Sequence, residues 1–506
     1  MANVKRLAKN TLFMYIRMIL IMVVSIYTSR VILDKLGVDD YGIYNAVASV
    51  VAMTAFLTST LTTSSSRFIN YALGSGDKEK QRNTFSTVFY THVLLAVILV
   101  VILETLGLWY LHNKFVIPPG RELAVSAIFQ ISILNIALTV VNVPYLATIT
   151  AHEQMNIYAY VGIYEVFAKL GVVYLLSIAP IDRLIFYALL LLGVQVTLMA
   201  FNILYCLNKN TETQEYRKFN KKILHEVLGF SGWTLIANLC NTLVVQGPTI
   251  LLNLFAAPAI IASRALATQI THAIMLFVSN FRTALNPQII KSYAAGEHES
   301  SKRLTMYSTL IVFDMLLLLG LPCIFTMKTI MGLWLVDVPP LAVQFTQIAI
   351  LAQIVGSISS STYMSFVASG RIKILSLISI PTSSLFFIIL YLILKMGGSP
   401  LWTQWLYLIL ILSGVLIIRP VLFMKVLKYE KKDYLPTYWN CFKVLASSTF
   451  LSIILYKLLS NSLAQQAILF VSVIMVVLIC SYVFMDKAIK SFAINIVKTK
   501  LKIIKK

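Results

Sequence analysis

The sequence predicts an all-α polytopic membrane protein. About fourteen transmembrane helices would form two parallel six-helix lobes, followed by two C-terminal helices, with both termini cytoplasmic. Three observations predict this. In 506 residues, 58% are apolar or aromatic and only 12% are charged. A soluble chain carries roughly 25% charged residues, so this one lacks the polar material to cover itself in water. Second, long apolar runs recur along the whole chain, each close to the roughly 20 residues that a bilayer requires. Third, the basic residues fall on one side of those runs.

The first half carries apolar spans at 11–33, 42–63, 84–111, 122–150, 155–179 and 183–207. The second carries 226–254, 258–283, 304–327, 339–368, 371–395 and 401–427, with 440–459 and 464–485 after them. Lys5, Arg6 and Lys9 precede the first run. No small-residue cleavage site follows it, so it is read as a retained helix and not as a signal peptide. The connections are short, and none on the outer side is long enough to fold as a domain.

Lys and Arg total 42 against 20 Asp and Glu, a formal +22. With the N-terminus inside, about 28 of the basic residues fall on inner loops and the tail, and about eight outside. The outer set includes Arg30, Lys35, Arg121 and Arg183. Membrane topology therefore explains most of the charge, and nucleic acid is not needed as a partner. The lysines of 498–506 are placed to meet anionic lipid head groups.

Two segments recur at an offset of about 220 residues. Ser66–Lys80 and Asn286–Ser300 each place an amphipathic stretch, a Tyr-Ala pair, a Gly and an acidic turn before the next span. Tyr145–His152 and Tyr363–Gly370 correspond in the same way. A six-span period is even, so the repeats are parallel, and two such bundles define a cleft between them. The expected division is 1–208, a cytoplasmic linker at 209–224, 225–430, and 431–506 for the two added spans and the basic tail.

An ionisable side chain within a span is costly and is a functional candidate by default. Arg17 and Arg30 lie in the first span, Arg264 and Arg282 in the eighth. Arginines on spans from different halves could face one shared cleft. Snorkelling to the interface is the competing reading, strongest for Arg30. Arg419 in span 12 stands beside Pro420, which bends the helix. Among the acids, Glu104 and Asp314 are each alone in a span, to pair with an arginine or to carry a coupled proton or cation. Glu165 and Lys169 stand four residues apart in the favourable order and read as an ion pair. His92 and His272 read as hydrogen-bonded structural groups. The hydroxyl clusters at Thr58–Ser66 and Ser357–Thr362 suit close packing or a hydrated lining equally.

No nucleotide-binding loop, metal motif or nucleophile arrangement is present. The expectation is no catalytic residue, no metal and no bound cofactor, with a proton or sodium gradient as the energy source. The five cysteines have no pair spacing and read as buried thiols.

The span count, the two parallel halves, Leu36-Gly37-Val-Asp-Asp-Tyr41-Gly42-Ile-Tyr44 and the segments Ser66–Gly76 and Asn286–Gly296 together resemble bacterial polysaccharide and lipid-linked oligosaccharide flippases. These belong to the multidrug/oligosaccharidyl-lipid/polysaccharide exporter superfamily. The resemblance covers residues 5–430 best. It implies translocation of an undecaprenyl-pyrophosphate-linked repeat unit across the inner membrane by alternating access, for O-antigen or capsule assembly. It also implies a cationic cavity, for which Arg17, Arg30, Arg264 and Arg282 are the candidates, since guanidinium holds phosphate bidentately. A glycan polymerase and a chain-length regulator are the implied partners. Two alternatives are a cation-coupled multidrug exporter of the same superfamily and a membrane glycan polymerase or ligase. The first favours a carboxylate in the first spans, where this chain has arginines. The second favours a large outer loop, which is missing.

Overall fold

The computed structural model describes residues 20–54, 77–152, 154–215, 221–459 and 462–484, with scattered residues between 55 and 76. They form fourteen long helical segments in chain order. These are α1 (20–36), α2 (Val38–Ala52), α3 (Lys78–Asn113), α4 (Glu122–Ala151), α5 (Met155–Leu175) and α6 (Arg183–Lys209). They continue as α7 (Lys221–Phe255), α8 (Pro258–Ala294), α9 (His298–Trp334), α10 (Ala342–Ala368, with a turn inside it) and α11 (Ile372–Lys395). The last three are α12 (Trp402–Lys425), α13 (Lys431–Leu458) and α14 (Leu463–Phe484). Among the described residues 11 helices are long and apolar enough to cross a membrane, and none of the residues forms a strand. In lipid this is the expected outcome, because a helix satisfies its own backbone polar groups.

The chain divides into two compact units. One comprises Met1–Ala265, Leu335–Pro340 and Lys373–Pro400, the other Leu266–Trp334, Leu341–Ile372 and Leu401–Lys506. In the first, α4 is the central helix, packed by α2, α3, α5 and α6. Its Val125, Ile128, Phe129, Val140 and Ile149 are fully buried. In the second, α9 is central, against α10, α13 and α14.

The sequence motif around Gly37 and Gly42 has a steric explanation. Gly37 has φ +82, in the left-handed region that a side chain disfavours, and there the chain breaks between α1 and α2. Gly42 lies where α2 meets the start of α8. A Cβ on it would overlap the carbonyl oxygen of Pro258 and sit 2.5 Å from its carbonyl carbon. Backbone on the other side cannot rotate away as a side chain could. Gly42→Ala is therefore expected to force the helices apart. The expected cost is about 1–3 kcal/mol or more, seen as a lowered Tm of purified protein.

The hydroxyl cluster of α10 is used for packing. Ser361 and Ser365 are buried and hydrogen-bond Ser308 (3.0 Å) and Thr305 (3.1 Å) of α9. The Thr58–Ser66 cluster lies mostly outside the described residues. Within it, Thr60 accepts from Asn238 of α7 at 2.8 Å. All five cysteines are free thiols, and four of them are buried.

Candidate functional site

Arg264 is the cationic candidate that the fold buries. It lies two turns into α8 and is 8% exposed. Its Nη1 donates to the Thr249 hydroxyl at 3.1 Å and its Nη2 to the Val245 carbonyl at 2.9 Å, both on α7. Pro248 makes this place available. It has no N–H for the Val244 carbonyl and its ring crowds that turn, so the α7 hydrogen-bond ladder opens there. Both of these acceptors are neutral.

The other candidates are placed differently. Arg17 lies outside the described residues. Arg30 is exposed on α1. Arg282 is half-buried on α8, eighteen residues beyond Arg264. Glu104 and Asp314 meet neutral donors and not arginines. Gln130 of α4 donates to Glu104 at 3.2 Å, and Ser481 of α14 donates to Asp314 at 2.9 Å. Glu104 lies in a π-helical turn, Leu103–Gly107, a feature frequent at functional sites. Glu165 and Lys169 form the expected pair at 2.6 Å. The ring Nδ1 of buried His92 lies 2.8 Å from the Val88 carbonyl, while His272 is exposed. A cleft of about 320 Å³ between α5 and α6 is lined by Tyr160, Val161, Tyr164, Thr197, Leu198 and Phe201. None of these is charged, so it cannot hold a diphosphate. No cluster of metal-binding side chains occurs among the described residues.

Two polar clusters were not visible as clusters in the sequence. At the end of the first unit expected to face outward, Arg121 bridges Asp40 of α2 and Asp182. Asp182 also accepts from the backbone N–H groups of Leu184 (3.0 Å) and Ile185 (3.3 Å), capping α6. Burial pushes the Asp40 carboxyl above the usual value, with the Arg121 charge opposing it.

At the opposite end of this unit, the His152 ring Nε2 lies 2.5 Å from Glu212, which is buried, and Arg82 pairs with Glu215 at 2.8 Å. Asn210, Glu212 and Thr213, read from sequence as linker, are buried here. The hydrogen bond to Glu212 raises the His152 pKa above 6.5. Because the folded state holds the proton more tightly, the pair's contribution is complete below about pH 6.5. It is lost as pH rises through the raised value. Tm measured from pH 6 to pH 9 should fall more steeply for the native chain than for His152→Gln.

A family model described as "Polysaccharide biosynthesis protein" matches residues 4–293. The chain belongs to this family. No curated protein matches its sequence. Among solved structures, "Lipid II flippase MurJ, inward closed conformation" has TM-score 0.66 at 14% identity, covering 94% of this chain and 97% of that one. An inward-facing multidrug resistance MATE family transporter of the MOP superfamily has TM-score 0.64 at 12% identity, over 79% and 94%. A MOP superfamily transporter from Pyrococcus furiosus has TM-score 0.60 at 14% identity, over 83% and 97%, and its title reports reverse polarity of the binding pocket. The all-helical fold is thus that of the MurJ and MATE structures. With 11 helices among its described residues long and apolar enough to cross a membrane, this member of the polysaccharide biosynthesis family is a multi-pass membrane protein.

Proposed function

We propose that the chain is a flippase. It moves an undecaprenyl-pyrophosphate-linked oligosaccharide repeat unit from the inner to the outer leaflet by alternating access. The unit then serves O-antigen or capsule assembly, handed to a glycan polymerase and a chain-length regulator. The family match over residues 4–293 carries this reading. Arg264 supports it: it places a buried guanidinium, the planar donor suited to phosphate, within the membrane-spanning part of the first unit. The multidrug exporter reading requires an acidic cavity for cationic drugs. Glu104, Asp314 and Glu165 are instead bound to Gln130, Ser481 and Lys169.

In this reading the protein makes and breaks no bond in its cargo, so a gradient of protons or sodium supplies the energy. Glu104, held by a neutral amide in a π turn, is the better placed coupling group. Asp314 is tied to α14. Deleting the gene should leave lipid-linked repeat units in the inner leaflet. Normal flipping with unpolymerised units outside would instead point to a polymerase. Collapsing both the proton and sodium gradients should stop transport, and undiminished transport would refute the coupling.

A further inference from the structure

We propose that the second unit contains a phosphate-group site built from Arg419 of α12 and Tyr438 of α13, separate from the arginines assigned to the cargo. The local helix geometry follows from sequence. Pro420 has no N–H for the Leu416 carbonyl, and the turn before Arg419, Gly414–Ile418, is a π turn. A π turn inserts an extra residue and widens the helix where it occurs. It sets Arg419 at the widened turn, with its guanidinium 5.6 Å over the Phe366 ring.

The Nη1 atom of Arg419 is buried and has no hydrogen-bond partner among the described residues. The same is true of the Tyr438 hydroxyl, on a residue that is 4% exposed. Both groups flank one aromatic cluster: Arg419 lies over Phe366, and Tyr438 against Phe423. Phe366 and Phe423 stack at 6.4 Å, and Phe423 touches the Tyr438 ring at 6.4 Å, so aromatic rings wall this region. Leaving two donors unserved in such a place is costly. An acceptor with more than one oxygen would satisfy both, and the charge calls for an anion.

The chain supplies no such acceptor among its described residues. The carboxylates at this end are already engaged. Asp433 pairs with Lys302 at 3.1 Å and accepts from the Glu430 backbone N–H at 2.9 Å. Glu430 pairs with Lys432 at 2.7 Å, and Glu299 with Lys302 at 2.8 Å. Lys425, Lys428, Lys431 and Lys432 follow directly along the chain. A turn this basic beside a membrane helix concentrates anionic head groups. The ligand is therefore a phosphate group, either that of an anionic phospholipid or free inorganic phosphate.

The test uses the purified full chain in nanodiscs, read by Tm. In phosphatidylcholine alone, inorganic phosphate is titrated. In a second series phosphatidylglycerol is added without phosphate. A saturable rise in Tm is expected in at least one series. It should be lost in Arg419→Gln and in Tyr438→Phe, which removes only the hydroxyl, and retained in Lys457→Gln, at the far end of α13. A rise only with phosphatidylglycerol assigns the site to a lipid head group. A rise only with inorganic phosphate assigns it to the free anion. No rise in the native chain, or an equal rise in both site variants, overturns the proposal and leaves the two donors to water.

Discussion

Replacing Arg264 with alanine is expected to abolish display of surface glycan while the protein remains in the membrane. The guanidinium is buried at the opened turn of α7, fixed by Thr249 and the Val245 carbonyl. A residue so held loses little freedom when it engages a ligand. A charge-assisted hydrogen bond contributes about 1.5–3 kcal/mol, and about 1.4 kcal/mol is a factor of ten. The expected loss of transport is therefore about tenfold or more. Arg264→Lys separates the functional role from a merely structural one. Lysine keeps the charge but is a point donor without the planar fork. If Arg264 binds a diphosphate, the lysine variant should keep a native Tm and still transport poorly. Normal display from the alanine variant would remove Arg264 from the cavity. Arg17→Ala should reduce display more weakly.

Arg121→Ala carries the second large effect, on stability. Arg121 is the shared counterion of Asp40 and Asp182. Without it the two carboxylates keep their mutual repulsion, and Asp40 is only 7% exposed. Breaking a buried ion pair from one side costs about 3–5 kcal/mol. The Arg121 side chain is 32% exposed, and solvent screening reduces this to about 1–3 kcal/mol. Adding Asp40→Asn to Arg121→Ala should restore part of the loss, giving a non-additive cycle. An additive cycle would show that the two residues act independently.

Most of the fold was legible because the bilayer imposes a length and a polarity on every span. Eleven of the apolar runs fall on helices long and apolar enough to cross a membrane among the described residues, yet helix ends and span ends differ. The α9 helix begins at His298 and α13 at Lys431, both before the apolar runs at 304 and 440. Charged turns continue a helix into the head-group region, where hydropathy no longer reports it. The Glu165–Lys169 pair was legible because both residues sit on one helix face. Arg121 was not, because its partners are 81 and 61 residues away. In sequence it is only a basic residue on an outer loop. For the same reason the stretch around Glu212 reads as a polar linker, since its partner His152 is 60 residues distant. The bend at Pro420 was expected, but not the π turn that precedes Arg419. The hydroxyls of α10 suited packing or lining equally, and only the position of α9 decides for packing.

The most direct test is leaflet transfer by the purified protein. Proteoliposomes carrying undecaprenyl-pyrophosphate-linked oligosaccharide would be probed with a membrane-impermeant sugar-modifying enzyme, with and without an imposed ion gradient. The account predicts gradient-dependent transfer well above protein-free liposomes, largely lost in Arg264→Ala. Transfer no faster than in protein-free liposomes by well-folded native protein would contradict it.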